Sequence, residues 1–469
     1  MRYVSTRGQT PPMGFADAVL TGLAPDGGLL LPETIPDIRD RLPAWRNLGY
    51  VELAQELIAL FADDIPRPVL NELIGQAYAS FDHPEIVPLV PVGDVVVMEL
   101  FHGPTLAFKD VALQLLGRLF EYVLAERGEH LNILGATSGD TGSAAIAGVR
   151  GQPNIDIFIL YPRGRVSELQ ELQMTTVTDP NVHCLAVEGS FDDCQNLMKT
   201  LFGDLEFKSR YHLGAVNSVN WARVLAQVVY YAYASLRLGQ DAPVRFAVPT
   251  GNFGNVFAGY VAKRMGFPIG ELLLATNEND ILAVFFETGI YQRGEVRFTI
   301  TPAMDIQVAS NFERYLYYLL GEDAVALRAF MVAFAEHGRV VLPTPPGTAD
   351  FAATAVDVAA TAATIRALYE QHGYVADPHT AVGIAAAQRL PAATPTVCLA
   401  TAHPAKFPEA VNQAVGAPLA RHERLERLRG QPVRSAVIPA DLAAVRAFIE
   451  QHASWGATAP VGHSKCGAD

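Results

Sequence analysis

Cysteine is scarce in this chain: four residues, Cys184, Cys194, Cys398 and Cys466, among 469, with no C-x-x-C pair and no zinc spacing. That argues against a disulfide scaffold and for a reducing compartment, the cytoplasm. No apolar run reaches the roughly 18 residues of a membrane-spanning helix, so no membrane association is expected. The opening stretch MRYVSTRGQTPPMGFADAVL also lacks the apolar core of a secretion signal. Positive charge is in deficit, with 35 Lys and Arg against 49 Asp and Glu and a net charge of −14, so nucleic acid is not the expected partner. The 12 histidines show no spacing, among themselves or with carboxylates, that would ligate a metal, and none is expected. Neither G-x-G-x-x-G nor G-x-x-x-x-G-K-[ST] occurs, which leaves a dinucleotide or a nucleoside triphosphate without its usual support. No internal repeat is evident.

What is present is a chain that is half hydrophobic, with 38 glycines, able to bury a large core and to turn tightly. Residues 1 to about 85 read as a separate N-terminal unit of short helices and Gly/Pro turns. From residue 95 a β-branched or apolar run repeatedly leads through a glycine-containing turn into a helix: VVVMELF into KDVALQLLGRLFEYVLAERG, LNILGA into GSAAIAGVRG, VRFAVP into NVFAGYVAKRMG, and TPTVCLAT into KFPEAVNQAVG. This alternation predicts an α/β fold of parallel sheet with crossover helices. VVLPTPPGTAD, 340–350, reads as a linker or surface loop, and the Ala-rich run 351–368 as a helix.

In open parallel sheets, ligands collect beyond the carboxyl ends of strands, where turns feed helix N-termini. HGPTLAFKD, 102–110, is the first such turn and places Lys109 where a helix begins. The positive end of the helix macrodipole disfavours an ammonium there. A partly buried lysine would lose its proton easily, and a neutral amine is what imine formation with an aldehyde requires. A solvated lysine beside a helix-start Asp is the other reading of the same stretch. GATSGDTGSAA, 135–145, offers hydroxyls and backbone N–H groups to an anion such as a carboxylate, with Asp140 ordering the loop or capping the helix. An ordinary capped helix start explains it equally well. In PTGNFGNVFAG, 249–259, Gly251 and Gly254 permit close approach of a phosphate, while Asn252 and Asn255 add uncharged donors. In LATAHPAKFPEA, 399–410, Thr401 ends a strand where its hydroxyl could meet a ring nitrogen above the sheet. His379 in DPHTAVG reads as part of a capped helix start. Asn217, Ser218, Asn220 and Arg223, at or before the start of a helix within 215–236, form either a second phosphate cradle or a surface capping segment.

As an ordered set, MRYVSTRG, DGGLLLPE, FHGPTLAFKD, TSGDTGSA, LYPRGRVSELQELQMTT, NSVNWARVLAQ, PTGNFGN, DPHTAVG and TAHPAKF resemble the long bacterial and fungal threonine synthases, within the fold-type II pyridoxal-phosphate enzymes. The resemblance spans nearly the whole chain. Arg163 and Arg165 stand where relatives usually carry lysines. The tail beyond about residue 415 lacks diagnostic motifs.

The resemblance implies an N-terminal domain at 1–85, a lobe at 86–205 carrying the coenzyme lysine and the substrate-carboxylate site, and a phosphate-binding lobe with C-terminal extension at 206–469, the lobes interleaved. It implies pyridoxal 5'-phosphate bonded to Lys109 as a Schiff base, its phosphate held by Gly251, Asn252, Phe253, Gly254 and Asn255, and its pyridine nitrogen meeting Thr401. Thr137, Ser138 and Thr141 would take the substrate carboxylate, and Asn217, Ser218, Asn220 and Arg223 the substrate phosphate. The implied reaction converts O-phospho-L-homoserine and water into L-threonine and phosphate, in a monomer or homodimer. The competing expectations are a threonine dehydratase, a phospho-lyase, a cysteine synthase-like enzyme, or a noncatalytic binder of a phosphate ligand.

Overall fold

The run VRFAVP forms the strand Val244–Pro249 with every residue buried, as a strand covered on both faces should be. In the computed structural model, which describes residues 1–137, 139–239, 242–346 and 350–455, it lies inside a six-stranded sheet. The strand order is Phe351–Ala355, Ile269–Thr276, Val244–Pro249, Thr396–Ala400, Val95–Glu99, Leu89–Val92. Neighbours are parallel except the last pair, a hairpin. A second sheet is parallel throughout, in the order Ala436–Pro439, Val182–Glu188, Ile155–Pro162, Leu131–Ala136, Leu213–Gly214.

Contacts divide the chain into two compact units, each assembled from separated segments. One comprises Met1–Phe120 and Asn217–Arg429, and the other Glu121–Val216 and the chain from Gly430 onward. The first contains the six-stranded sheet, whose strand residues Val97, Ala247, Leu273 and Cys398 pack with Val382, Ile384 and Ala385 of the helix Pro378–Arg389. The second contains the five-stranded sheet, packed through Leu134, Phe158 and Leu185 against Val445 and Ile449 of the helix Leu442–His452.

The N-terminal residues are bound into the first unit. Tyr50 meets Tyr233 edge-on at 5.4 Å, Arg237 donates to Leu48 O at 2.9 Å, and Thr6 donates to Glu313 at 2.7 Å.

Two segments differ from the sequence expectation. Phe351–Ala355, expected to begin an Ala-rich helix, is an edge strand in register with Leu272–Thr276. Phe351 is buried, and the helix starts only at Val358, after the Asp357 cap. Small alanines suit either state, so pairing with the neighbouring strand decides. Within the expected loop at 340–350, Arg339–Val341 pairs with Ile290–Gln292; residues 347–349 lie outside the described part. Among the described residues no helix is long and apolar enough to cross a membrane, and no group of three or more His, Cys, Asp or Glu is placed to hold a metal.

Candidate active site

Three of the strand-to-helix turns singled out above lie side by side. The strands Val244–Pro249, Thr396–Ala400 and Val95–Glu99 are adjacent and parallel, so their carboxyl ends share one edge of the sheet. That edge carries the 250–255 turn, Thr401 and the loop leading to Lys109.

Lys109 is the first residue of the helix Lys109–Arg127 and is partly buried. The preceding loop is stitched to the Thr401 segment: Phe108 N donates to Thr401 O at 2.8 Å, His403 N donates to Leu106 O at 3.0 Å, and Ala107 bridges Ala402. Thr401 itself is buried directly beyond the strand. Lysine and threonine, far apart in sequence, are thus held on neighbouring backbone segments.

The Gly251–Asn255 turn has the features of an anion cradle. Phe253 precedes the helix Gly254–Met265 in the left-handed region, φ 65°, which costs a bulky residue energy. Its ring is fully buried among Phe286, Phe312, Tyr315 and Phe351, and this packing imposes the strained backbone. Phe253 therefore has only its main chain to offer a ligand. Asn255 is buried; its Oδ1 accepts from Tyr230 at 2.6 Å and Tyr231 at 2.9 Å, while Nδ2 has no partner among the described residues. A buried donor left unmet costs about 1–3 kcal/mol, so the site is suited to an acceptor such as a phosphate oxygen. The residues present fit a phosphate-bearing coenzyme: a buried amide donor, helix-start N–H groups and a lysine amine along the same edge.

Gly251 is needed for a reason other than approach of a ligand. A Cβ there would stand 2.5 Å from Ala303 O. Ala303 is fixed from its other side, since its N–H donates to His379 Nε2 at 3.4 Å, and His379 Nδ1 lies 2.9 Å from the helix cap Asp377. We expect Gly251→Ala to displace this turn and weaken coenzyme affinity by about 10- to 100-fold, the cost of overpacking a rigid wall. Titration of the apoprotein with pyridoxal phosphate measures it.

Asn311, which sequence reasoning did not single out, joins this cradle to the 217–220 segment. Its N–H donates to Asn252 O at 3.0 Å and its Nδ2 to Ser218 O at 3.2 Å. Just beyond that segment Arg223 is buried, and its Nε and Nη1 have no partner among the described residues. Burial pushes its guanidinium down to about 10, which still leaves it charged at neutral pH. The acceptor Asn217 Oδ1 is buried with no partner among the described residues, and Ser218 Oγ sits 2.9 Å from Ser310 Oγ. Asn220 takes the capping role that the sequence left open beside the phosphate cradle. Its Oδ1 caps the helix at Ala222 N, 3.0 Å, and its Nδ2 donates to Val19 O, 2.8 Å, so its amide is spent on structure.

The TSGDTG loop belongs to the second unit. Thr137, expected at the substrate carboxylate, has both donors engaged: N–H to Leu160 O at 3.0 Å and hydroxyl to Gly139 O at 3.2 Å. Its Oγ1 also accepts from Gly139 N and Gly142 N at 3.0 and 3.2 Å, so Thr137 shapes the loop. Asp140 orders the loop through Gln170 Nε2 at 2.9 Å. Thr141 lies in the first turn of the helix Asp140–Val149, and Ser138 is outside the described residues.

Comparison with known proteins matches this chain over most of its length. Residues 2–78 match the family model "Threonine synthase N terminus", 84–354 "Pyridoxal-phosphate dependent enzyme", and 380–449 "Threonine synthase, C-terminal". The chain is similar to the threonine synthase of Pseudomonas aeruginosa, 47% identical over 97% of this chain and 99% of that one. A crystal structure of PLP-bound threonine synthase from Brucella melitensis superposes with a TM-score of 0.94 at 48% identity, covering 97% of this chain and 100% of that chain. The threonine synthase structure from yeast superposes at 0.92 with 42% identity, covering 96% and 98%.

Proposed function

Because the chain belongs to the threonine synthase family and uses pyridoxal 5'-phosphate, we propose that its substrate is O-phospho-L-homoserine, converted with water into L-threonine and phosphate. The observation that carries the substrate assignment is Arg223, a buried charged guanidinium with no carboxylate partner among the described residues. Such a group is costly unless an anion meets it.

The coenzyme, when bound, supplies the electron sink that makes the substrate's α-proton removable. Lys109 would hold the coenzyme through its amine and, as the base of the site, would take the substrate's Cα proton and return protons at Cβ and Cγ. Arg223, with Ser218 and Asn217 beside it in the chain, holds the substrate phosphate and neutralises it as the Cγ–O bond breaks. Water then supplies the hydroxyl at Cβ, and Cγ ends as the methyl group. Gly251, Asn252, Phe253 and Gly254 hold the coenzyme phosphate through backbone N–H groups, and Asn255 through Nδ2. Thr401 would offer its hydroxyl to the ring nitrogen, a partner that need not keep that nitrogen protonated as a carboxylate would. Thr141 and the N–H groups of its loop receive the substrate carboxylate. Two residues of the sequence expectation, Asn220 and Thr137, act by shaping their segments.

Incubating the protein with O-phospho-L-homoserine, L-threonine and O-acetylserine in parallel, and identifying products, tests the reading. L-Threonine and stoichiometric phosphate from the first substrate support it. A 2-oxo acid from the second as the main product, or cysteine from the third with sulfide, would assign a different reaction.

A further inference from the structure

The loop that delivers Lys109 is held at successive polar groups. Gly103 O accepts from Leu106 N at 3.2 Å and from Arg424 Nη1 at 2.7 Å. Thr105 donates its N–H and its hydroxyl to the two carboxylate oxygens of Asp110, both at 2.8 Å. Thr105 O accepts from Lys406 Nζ at 2.8 Å. Asp110 is fully buried, and Gln114 Nε2 reaches its Oδ1 at 3.4 Å. The approach is close enough that a Cβ on Gly103 would lie 2.4 Å from the Asp110 Cβ. Leu106 is held in the left-handed region, φ 61°, a conformation that persists only where surrounding contacts over-determine it.

We infer that Asp110 is a positioning residue for Lys109: its carboxylate ties the first helical turn back to Thr105 and, with Lys406 gripping the same residue from behind, fixes where the Lys109 amine leaves the backbone. The inference rests on Lys109 being the lysine that bonds the coenzyme. Asp110 acts through the loop. Its ionised form offers both acceptors that Thr105 uses, so protonation loosens the clamp. Burial pushes the Asp110 carboxyl up to about 6, against the pull of Thr105 and of Lys406, the charged group that faces it from the 404–406 turn. The clamp is complete above that pH and weakens as pH falls through it.

Asp110→Asn keeps the size of the side chain and one acceptor while removing the charge. Two readouts are set against wild type: the rate at which added pyridoxal phosphate becomes borohydride-reducible onto Lys109 in the apoprotein, and kcat per bound coenzyme with KM. We expect both rates to fall about 10- to 100-fold, the cost of a misplaced reacting group, with KM little changed. We also expect the wild-type decline of the attachment rate through about pH 6 to be absent from the variant. A variant with wild-type rates and a wild-type pH profile overturns the inference. If Asp110→Asn does not fold, Thr105→Val, which removes one hydroxyl, decides: a slowing of several-fold supports the clamp, and an unchanged attachment rate overturns it. Wild-type label on another lysine would instead refute the role of Lys109 itself. Label on Lys109 with unaffected variants would refute only the clamp.

Discussion

Replacing Lys109 by alanine lowers kcat for threonine formation by about 10⁴-fold, the upper range for loss of a general acid–base group. The size follows from the two tasks that the proposed mechanism gives this amine, holding the coenzyme and moving the substrate's protons. Coenzyme binding survives in weakened form, because the 250–255 turn proposed to hold its phosphate follows a different strand and is built by Phe253 packing and the Tyr230 and Tyr231 hydroxyls. A small primary amine added to the buffer restores part of the lost rate by supplying a diffusible base. Phosphate release in steady state, with and without the amine, measures both effects. A Lys109→Ala protein within tenfold of wild type, without added amine, contradicts the assignment.

Arg223→Met has the second largest effect, and its two parts have opposite signs. Truncating one member of a buried charged contact costs about 2–5 kcal/mol of binding, so kcat/KM for O-phospho-L-homoserine falls about 30- to 5,000-fold. Inorganic phosphate loses its potency as a competitive inhibitor to a similar extent. Stability moves the other way. The guanidinium is buried with Nε and Nη1 unpartnered among the described residues, so a flexible apolar side chain of similar length removes a desolvation penalty from the ligand-free protein. Thermal unfolding in phosphate-free buffer shows a Tm equal to or above that of wild type. Loss of stability together with unchanged kcat/KM would mean that Arg223 is a structural residue.

The local order of strand, turn and helix was legible because each run carries its own pattern. VRFAVP reads as a buried strand and PTGNFGN as a turn without knowledge of any partner. Lys109 at a helix start and Thr401 at a strand end were legible for the same reason. Pairing across the chain was not. Phe351–Ala355 becomes a strand through its register with Leu272–Thr276, and nothing in an alanine-rich stretch announces that neighbour. The two compact units exchange segments within the Lys109–Arg127 helix and after Val216, and a continuous helical pattern carries no mark of such a crossing.

Side-chain roles divide in the same way. Asn220 and Thr137 carry donors that would suit an anion, but Asn220 Nδ2 donates to Val19 O and the Thr137 hydroxyl to Gly139 O, while Asn220 Oδ1 accepts from Ala222 N. Asn311 and Lys406 gain their roles only when distant segments meet, and Asp110 through a fold-back onto Thr105, so their residue types gave little signal. A buried aspartate immediately after a lysine was the one available hint, and composition alone reads it as a helix-start charge.

The most direct test of the account is to saturate the protein with pyridoxal phosphate, reduce it with borohydride, digest it and map the pyridoxyl group by mass spectrometry. The account predicts a single modified peptide, HGPTLAFKD with its flanking residues, carrying the label on Lys109. A label on any other lysine, or none at full coenzyme occupancy, would contradict it.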